Sequence, residues 1–177
     1  MIKCSMKIAQ IDQSGKIEDT SHDTILALSN HIKSTITLKK THKRIIQNIF
    51  RQLKKPRLFI PITFSALLSL LIKNSKSNQK IIIDREYIGY ESLIVKLTNN
   101  NLKKLKCKND NIEFQNIGKN SPAHDLASKI SHNKKISNKI VTFEEICLLL
   151  FSDDQTKKNR EVLKPGLKPV GRHFTRS

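Results

Sequence analysis

Lys80-Ile81-Ile82-Ile83-Asp84 is the stretch on which the fold turns. Three consecutive isoleucines are apolar on both faces of an extended chain, the pattern of a central strand covered from both sides. A polar Asn/Ser/Lys loop, residues 73–79, precedes the run, and Gly89 follows it. The strand ends in a carboxylate, which is costly beside an apolar strand unless it meets a cation or capping donors.

Working outward, Lys7–Asp12 alternates and stops at the turn signal Gln13-Ser14-Gly15. Thr24–Ser29 and Ser34–Leu38 read as a second and a third strand, antiparallel neighbours of the first. Ile45, Ile46, Ile49, Phe50 and Leu53 then change the period to that of an amphipathic helix, with Lys43, Arg44, Arg51 and Lys54 on its polar side and Pro56 closing it. Thr63 is an N-cap for an apolar helix through Ile72, too short and too interrupted to span a bilayer. A helix follows from Tyr90 to Leu97, ended by the Asn run at 99–101. Ile112–Ile117 is a strand and Ala123–Ile130 a helix. Thr142 with Glu145 forms a capping box for a last helix ending near Phe151. The expectation is an α/β domain over residues 1–151, a mixed sheet of three antiparallel strands plus parallel strands flanked by helices, with a flexible basic tail at 152–177.

Lys and Arg outnumber Asp and Glu by 33 to 15, a formal net charge of +18 on 177 residues. Such a chain repels itself unless a polyanion neutralises it, and a nucleic-acid backbone is the usual polyanion. The abundance of Ile, Lys and Asn also matches an AT-rich genome, which inflates the lysine count. Lys40, Lys43, Arg44, Arg51, Lys54, Lys55 and Arg57 crowd one helix and its end, and Lys103 and Lys104 begin a second cluster in a loop. These would grip phosphates without reading sequence. Cys4, Cys107 and Cys147 have no metal-ligand spacing and read as reduced thiols. With no signal-peptide pattern in MIKCSMKIAQ and no membrane segment, a cytoplasmic location is expected. No phosphate-binding glycine loop, nucleophile elbow or zinc spacing occurs, which argues against a nucleotide-cofactor oxidoreductase or a serine hydrolase.

Acidic residues are scarce, so their placement is informative. Asp12 and Asp84 both end strands, with Glu86 two residues after the second; adjacent strands would project both carboxylates at one edge of the sheet. Asp125 opens a helix, with His124 beside it as a candidate for proton transfer. Aspartates also form turns and begin helices, so the residues alone leave both roles open.

The strand end Ile11-Asp12-Gln13-Ser14-Gly15, the Ile83-Asp84 strand end and the helix Ala123-His124-Asp125-Leu126-Ala127 resemble the ribonuclease H-like (retroviral integrase) superfamily. They are similar to members with an Asp-Glu-Ser-Gly start and an Ala-Asp-x-x-Ala helix. The resemblance implies a nuclease in which Asp12, Asp84 and Asp125, with Glu86, hold two Mg²⁺ or Mn²⁺ ions that cut RNA or DNA. Two departures stand out: Gln13 replaces the acid after Asp12, and Asp125 follows His124 rather than Ala. Glu86 or Glu91 is available to supply the missing carboxylate. The alternative is a basic nucleic-acid-binding protein that keeps the fold and has lost the metals.

Overall fold

The computed structural model describes residues 8–29, 32–76, 79–109, 111–118 and 120–151. The expected tail at 152–177 and Cys4 lie outside the described residues. Strands β1 (Ile8–Ser14), β2 (Thr24–Ser29) and β3 (Ser34–Leu38) form an antiparallel meander. On the other side of β1 lie β4 (Lys80–Asp84) and β5 (Ile112–Gln115), both parallel to it; β6 (Lys139–Ile140) runs parallel to β3. The sheet order is β5-β4-β1-β2-β3-β6. An α/β architecture with a mixed sheet of antiparallel and parallel strands is therefore what the chain adopts.

The all-isoleucine strand is central, as its sequence demands. Ile81 and Ile83 enter the large core, paired beside Ala9 and Ile11 of β1. That core is closed by α1 (Lys40–Gln52), α2 (Phe59–Ser75), α3 (Glu91–Lys104) and α5 (Phe143–Leu150). Among the described residues the opposite face carries one helix, α4 (Pro122–Ser131), whose Leu126, Ala127 and Ile130 pack on Ile25 and Ala27 of β2.

Several elements differ from expectation, β1 among them, which runs on through Gln13 and Ser14 so that its turn begins at Gly15. Helix α2 begins at Phe59, four residues before Thr63, with Pro61 in the first turn, where its missing N–H breaks no intrahelical bond. An 18-residue window within Pro56–Ser75 has mean hydropathy 1.5, enough for a membrane span by composition, but 72% of that window is buried inside the fold. Helix α3 runs through the Asn run to Lys104, because Thr98, Asn101 and Leu102 are buried; packing overrides the weak helix propensity of Asn. Lys103 and Lys104 thus sit in the last helical turn rather than in a loop. Strand β6 has only two residues and gives no periodic signal.

Lys43 is a correction. It is fully buried rather than on the polar side of α1. Its Nζ donates to the carbonyls of Lys16 and Asp19 and to Thr24 Oγ1, pinning the β1–β2 loop to the helix. With its ammonium buried and engaged it is no phosphate contact, and burial pushes its pKa down to about 8. Gly15 begins that loop at φ +74°, and a Cβ there would lie 2.2 Å from the Asp23 carbonyl, so the turn after β1 requires glycine.

Replacing Lys43 with Ala should cost about 2–5 kcal/mol, the range for emptying a buried long side chain. Lys40→Ala, one turn earlier and exposed, should change stability by less than about 0.5 kcal/mol. Urea titration of both variants checks this; equal midpoints would refute the buried role of Lys43.

Candidate metal centre

The parallel register of β1 and β4 pairs Ile11 with Ile83. One residue further along each strand come Asp12 and Asp84, on the α4 face. Glu86 follows after a short turn in which its N–H bonds the Asp84 carbonyl at 3.1 Å. The three carboxylates offer ligand atoms that all lie within 4.8 Å of one another.

Two of the three carboxylates accept backbone N–H groups. Asp12 Oδ1 accepts the Gln13 N–H at 2.6 Å, and Asp84 Oδ1 accepts the Ile117 N–H at 2.9 Å. Tyr87 fixes the Glu86 turn from the core side. Its hydroxyl meets Gln13 Nε2 and the Ile17 N–H, each at 3.0 Å, and its ring packs edge-on to Phe64. Burial raises the Tyr87 hydroxyl above its ordinary value.

His124 completes the cluster. Ser121 caps α4 and accepts the His124 N–H, Pro122 starts the helix, and the imidazole is thereby held over β1. His124 Nδ1 lies 2.7 Å from Asp12 Oδ2. Engaging Nδ1 leaves Nε2 as the ring nitrogen turned to other partners.

Burial raises the Asp12 carboxyl above the usual value, against the pull of the Gln13 N–H and His124. Glu86 is pushed up to about 7, by burial first and then by the Asp12 charge, with Lys16 opposing. Three converging acids with so little compensating charge form a group that could hold a metal ion.

Asp125 is not part of this cluster, contrary to the ligand expected there. It is exposed, its side chain 61% accessible, and it pairs with Lys129 one turn on at 2.7 Å. In the first turn of a helix the imidazole of His124, not the next residue, faces the sheet. Glu91 does not supply the missing acid either; it accepts the Gly89 N–H and pairs with Arg85. Gln13 points to the face opposite Asp12, bonding Tyr87 and the Gly15 carbonyl. An acid there would enter the core side of the sheet, so Gln13 removes no ligand.

The basic residues divide. Lys40 and Arg51 stand at opposite ends of α1, roughly 16 Å apart along its axis at 1.5 Å per residue. Arg51, Lys54, Lys55 and Arg57 form one exposed group, and Lys103 and Lys104 another at the end of α3. Arg44 is partly engaged, its Nε donating to the Thr20 carbonyl.

Fold and site define an α/β protein with a carboxylate cluster at the carboxyl ends of two adjacent parallel strands. No protein-family model, curated protein or solved structure matches the chain.

The raised Glu86 value fixes a pH dependence. The folded carboxyl, near 7 against an ordinary 4.5, binds its proton more tightly than the unfolded one, so stability falls as pH rises through that window. Without divalent cations, Glu86→Gln should leave stability unchanged below pH 4.5 and raise it by about 2 kcal/mol above pH 7, allowing for solvent screening. Urea midpoints at pH 4 and pH 8 with chelator present test it; an equal shift at both would remove the burial argument.

Proposed function

We propose that this chain is a metal-dependent phosphodiesterase acting on nucleic acid, built on a ribonuclease H-like fold. The observation that carries the reading is the convergence of Asp12, Asp84 and Glu86 within 4.8 Å. The meander β1–β3 extended by the parallel strands β4 and β5 supports the fold assignment, because it leaves a carboxylate in the C-terminal part of each of two neighbouring strands.

The donor set fits a hard divalent cation. Carboxylate oxygens suit Mg²⁺ and Mn²⁺, whereas no described cysteine approaches the cluster. The raised Asp12 and Glu86 carboxyls are groups that positive charge would return to the ionised form. Asp12, Asp84 and Glu86 would hold the ions, two if the site follows its resemblance. Bound there, they would supply Lewis acidity and a nucleophile by lowering the pKa of water.

The chain's own residues supply the rest. Asp12 orients His124 through Nδ1, so that Nε2 can take or return a proton beside the scissile phosphate. Lys40 and the exposed groups around Arg51 and Lys103 would hold flanking phosphates as unspecific contacts. Glu86, not Asp125, completes the acidic set.

Labelled single-stranded, duplex and hybrid substrates should be cut in Mg²⁺ or Mn²⁺. Asp12→Asn, Asp84→Asn and Glu86→Gln should each lower the rate at least about a hundredfold, some 2.7 kcal/mol of barrier. Asp125→Asn should remain within about twofold of wild type, a negligible barrier change. Salt-sensitive binding with no cutting would instead mark a non-catalytic nucleic-acid-binding protein. Divalent cation should also raise the thermal midpoint of the wild type but not of Asp12→Asn; no change in either would remove the metal.

A further inference from the structure

The turn that carries the chain out of β1 is clamped at three consecutive residues. The Gly15 carbonyl accepts Gln13 Nε2 at 2.9 Å, and the Ile17 N–H bonds the Tyr87 hydroxyl at 3.0 Å. Between them, the Lys16 carbonyl accepts Lys43 Nζ at 2.8 Å and Thr24 Oγ1 at 3.4 Å. Lys43 is fully buried to make this bond, and a buried charge is costly. What the clamp holds in place is Lys16, which is itself exposed.

The Lys16 ammonium lies within electrostatic reach of the metal centre. Its charge pulls the Glu86 carboxyl down, against burial and the Asp12 charge. Yet among the described residues it makes no ion pair and no side-chain hydrogen bond. Other basic residues on the elements that bear the site are engaged: Arg85 with Glu91, Lys129 with Asp125, and Lys43 with the loop. Lys16 is thus a positive charge fixed at its root, near three acids and in contact with none of them. A lysine placed only to offset the acids would pair directly with one, because Coulomb attraction grows as charges approach.

We infer that Lys16 contacts the substrate phosphate at the carboxylate cluster, its ammonium on a non-bridging oxygen. The inference rests on the phosphodiesterase reading of that cluster. Attack on a phosphodiester adds negative charge to the phosphoryl oxygens on the way to the transition state. A preorganised cation aimed at them acts most strongly at that point. Lysine suits the task as a compact point charge with rotatable donors. The clamp on its carbonyl and on both neighbours fixes where the side chain begins, the support that a positioned charge needs. Lys40 and Arg51 differ from it: they would grip flanking phosphates, whereas Lys16 acts on the reacting one.

Lys16→Gln and Lys16→Arg in the full chain provide the test, with a short labelled single strand as DNA and as RNA. Both variants should keep the wild-type urea midpoint, because the clamp uses the backbone of residue 16. In Mg²⁺ or Mn²⁺, Lys16→Gln should lower kcat about a hundredfold with KM little changed, the loss expected for one preorganised donor. Lys16→Arg keeps the charge and should recover most of that loss. With Ca²⁺ in place of Mg²⁺ to slow cutting, strand affinity of Lys16→Gln should depend less steeply on salt. The slope of log affinity against log salt should fall by about 0.7, one phosphate contact on a single strand. Wild-type kcat in Lys16→Gln would overturn the inference, whether or not its Mg²⁺ requirement shifts; a shift alone would mark Lys16 as a counter-charge to the acids. Cutting lost in Asp84→Asn yet kept in Lys16→Gln would sink Lys16 and leave the phosphodiesterase standing. A wild type that binds strands but cuts none would end the phosphodiesterase reading, and an unchanged salt slope would then remove Lys16 as well. No binding by the wild type would remove both.

Discussion

The pairing of β1 with β4 is the constraint on which the rest depends. It is parallel, internal to the sheet and covered on one face by the main core, so its register is fixed by where Ala9, Ile11, Ile81 and Ile83 must point. Alternation then places Asp12 and Asp84 on the other face. A slip of one residue by either strand would turn its carboxylate into the core and its apolar residues out. The apolar pattern of two strands thus sets the position of two acids it does not contain.

Holding those acids together opposes stability. Burial and mutual repulsion raise Asp12 and Glu86, in a chain with abundant lysines that it places elsewhere. Lys43, buried near the β1–β2 loop, spends its three bonds on two carbonyls and a hydroxyl instead of an acid. Among the described residues the two faces of the sheet divide: α1, α2, α3 and α5 cover one face and make the core, and α4 covers part of the other.

Much of this was legible in the sequence because it rests on period and capping. The bounds of β2, β3 and β4 follow from their apolar runs, and the Thr142–Glu145 capping box forms as the spacing predicts. Asp12, Asp84 and Glu86 were found because strand ends are readable. Asp125 misled, since a first-turn helix position gives no azimuth; the Ser121 cap and the sheet beneath decide that His124 faces inward. Lys43 carried a signal that its charge obscured. It lies three residues before Ile46 and seven before Phe50, on the buried stripe of the helix.

The Gln13 position shows how one alternation settles a question that motif comparison leaves open. Read along the chain, glutamine after Asp12 looks like a lost ligand and a sign of decayed catalysis. Read across the sheet, adjacent strand residues face opposite sides, so the same backbone cannot bring both side chains to one cation. Gln13 instead holds Tyr87, and Tyr87 holds the turn bearing Glu86. The third carboxylate therefore arrives from β4's own continuation, braced from the core side by the residue that seemed to mark its absence.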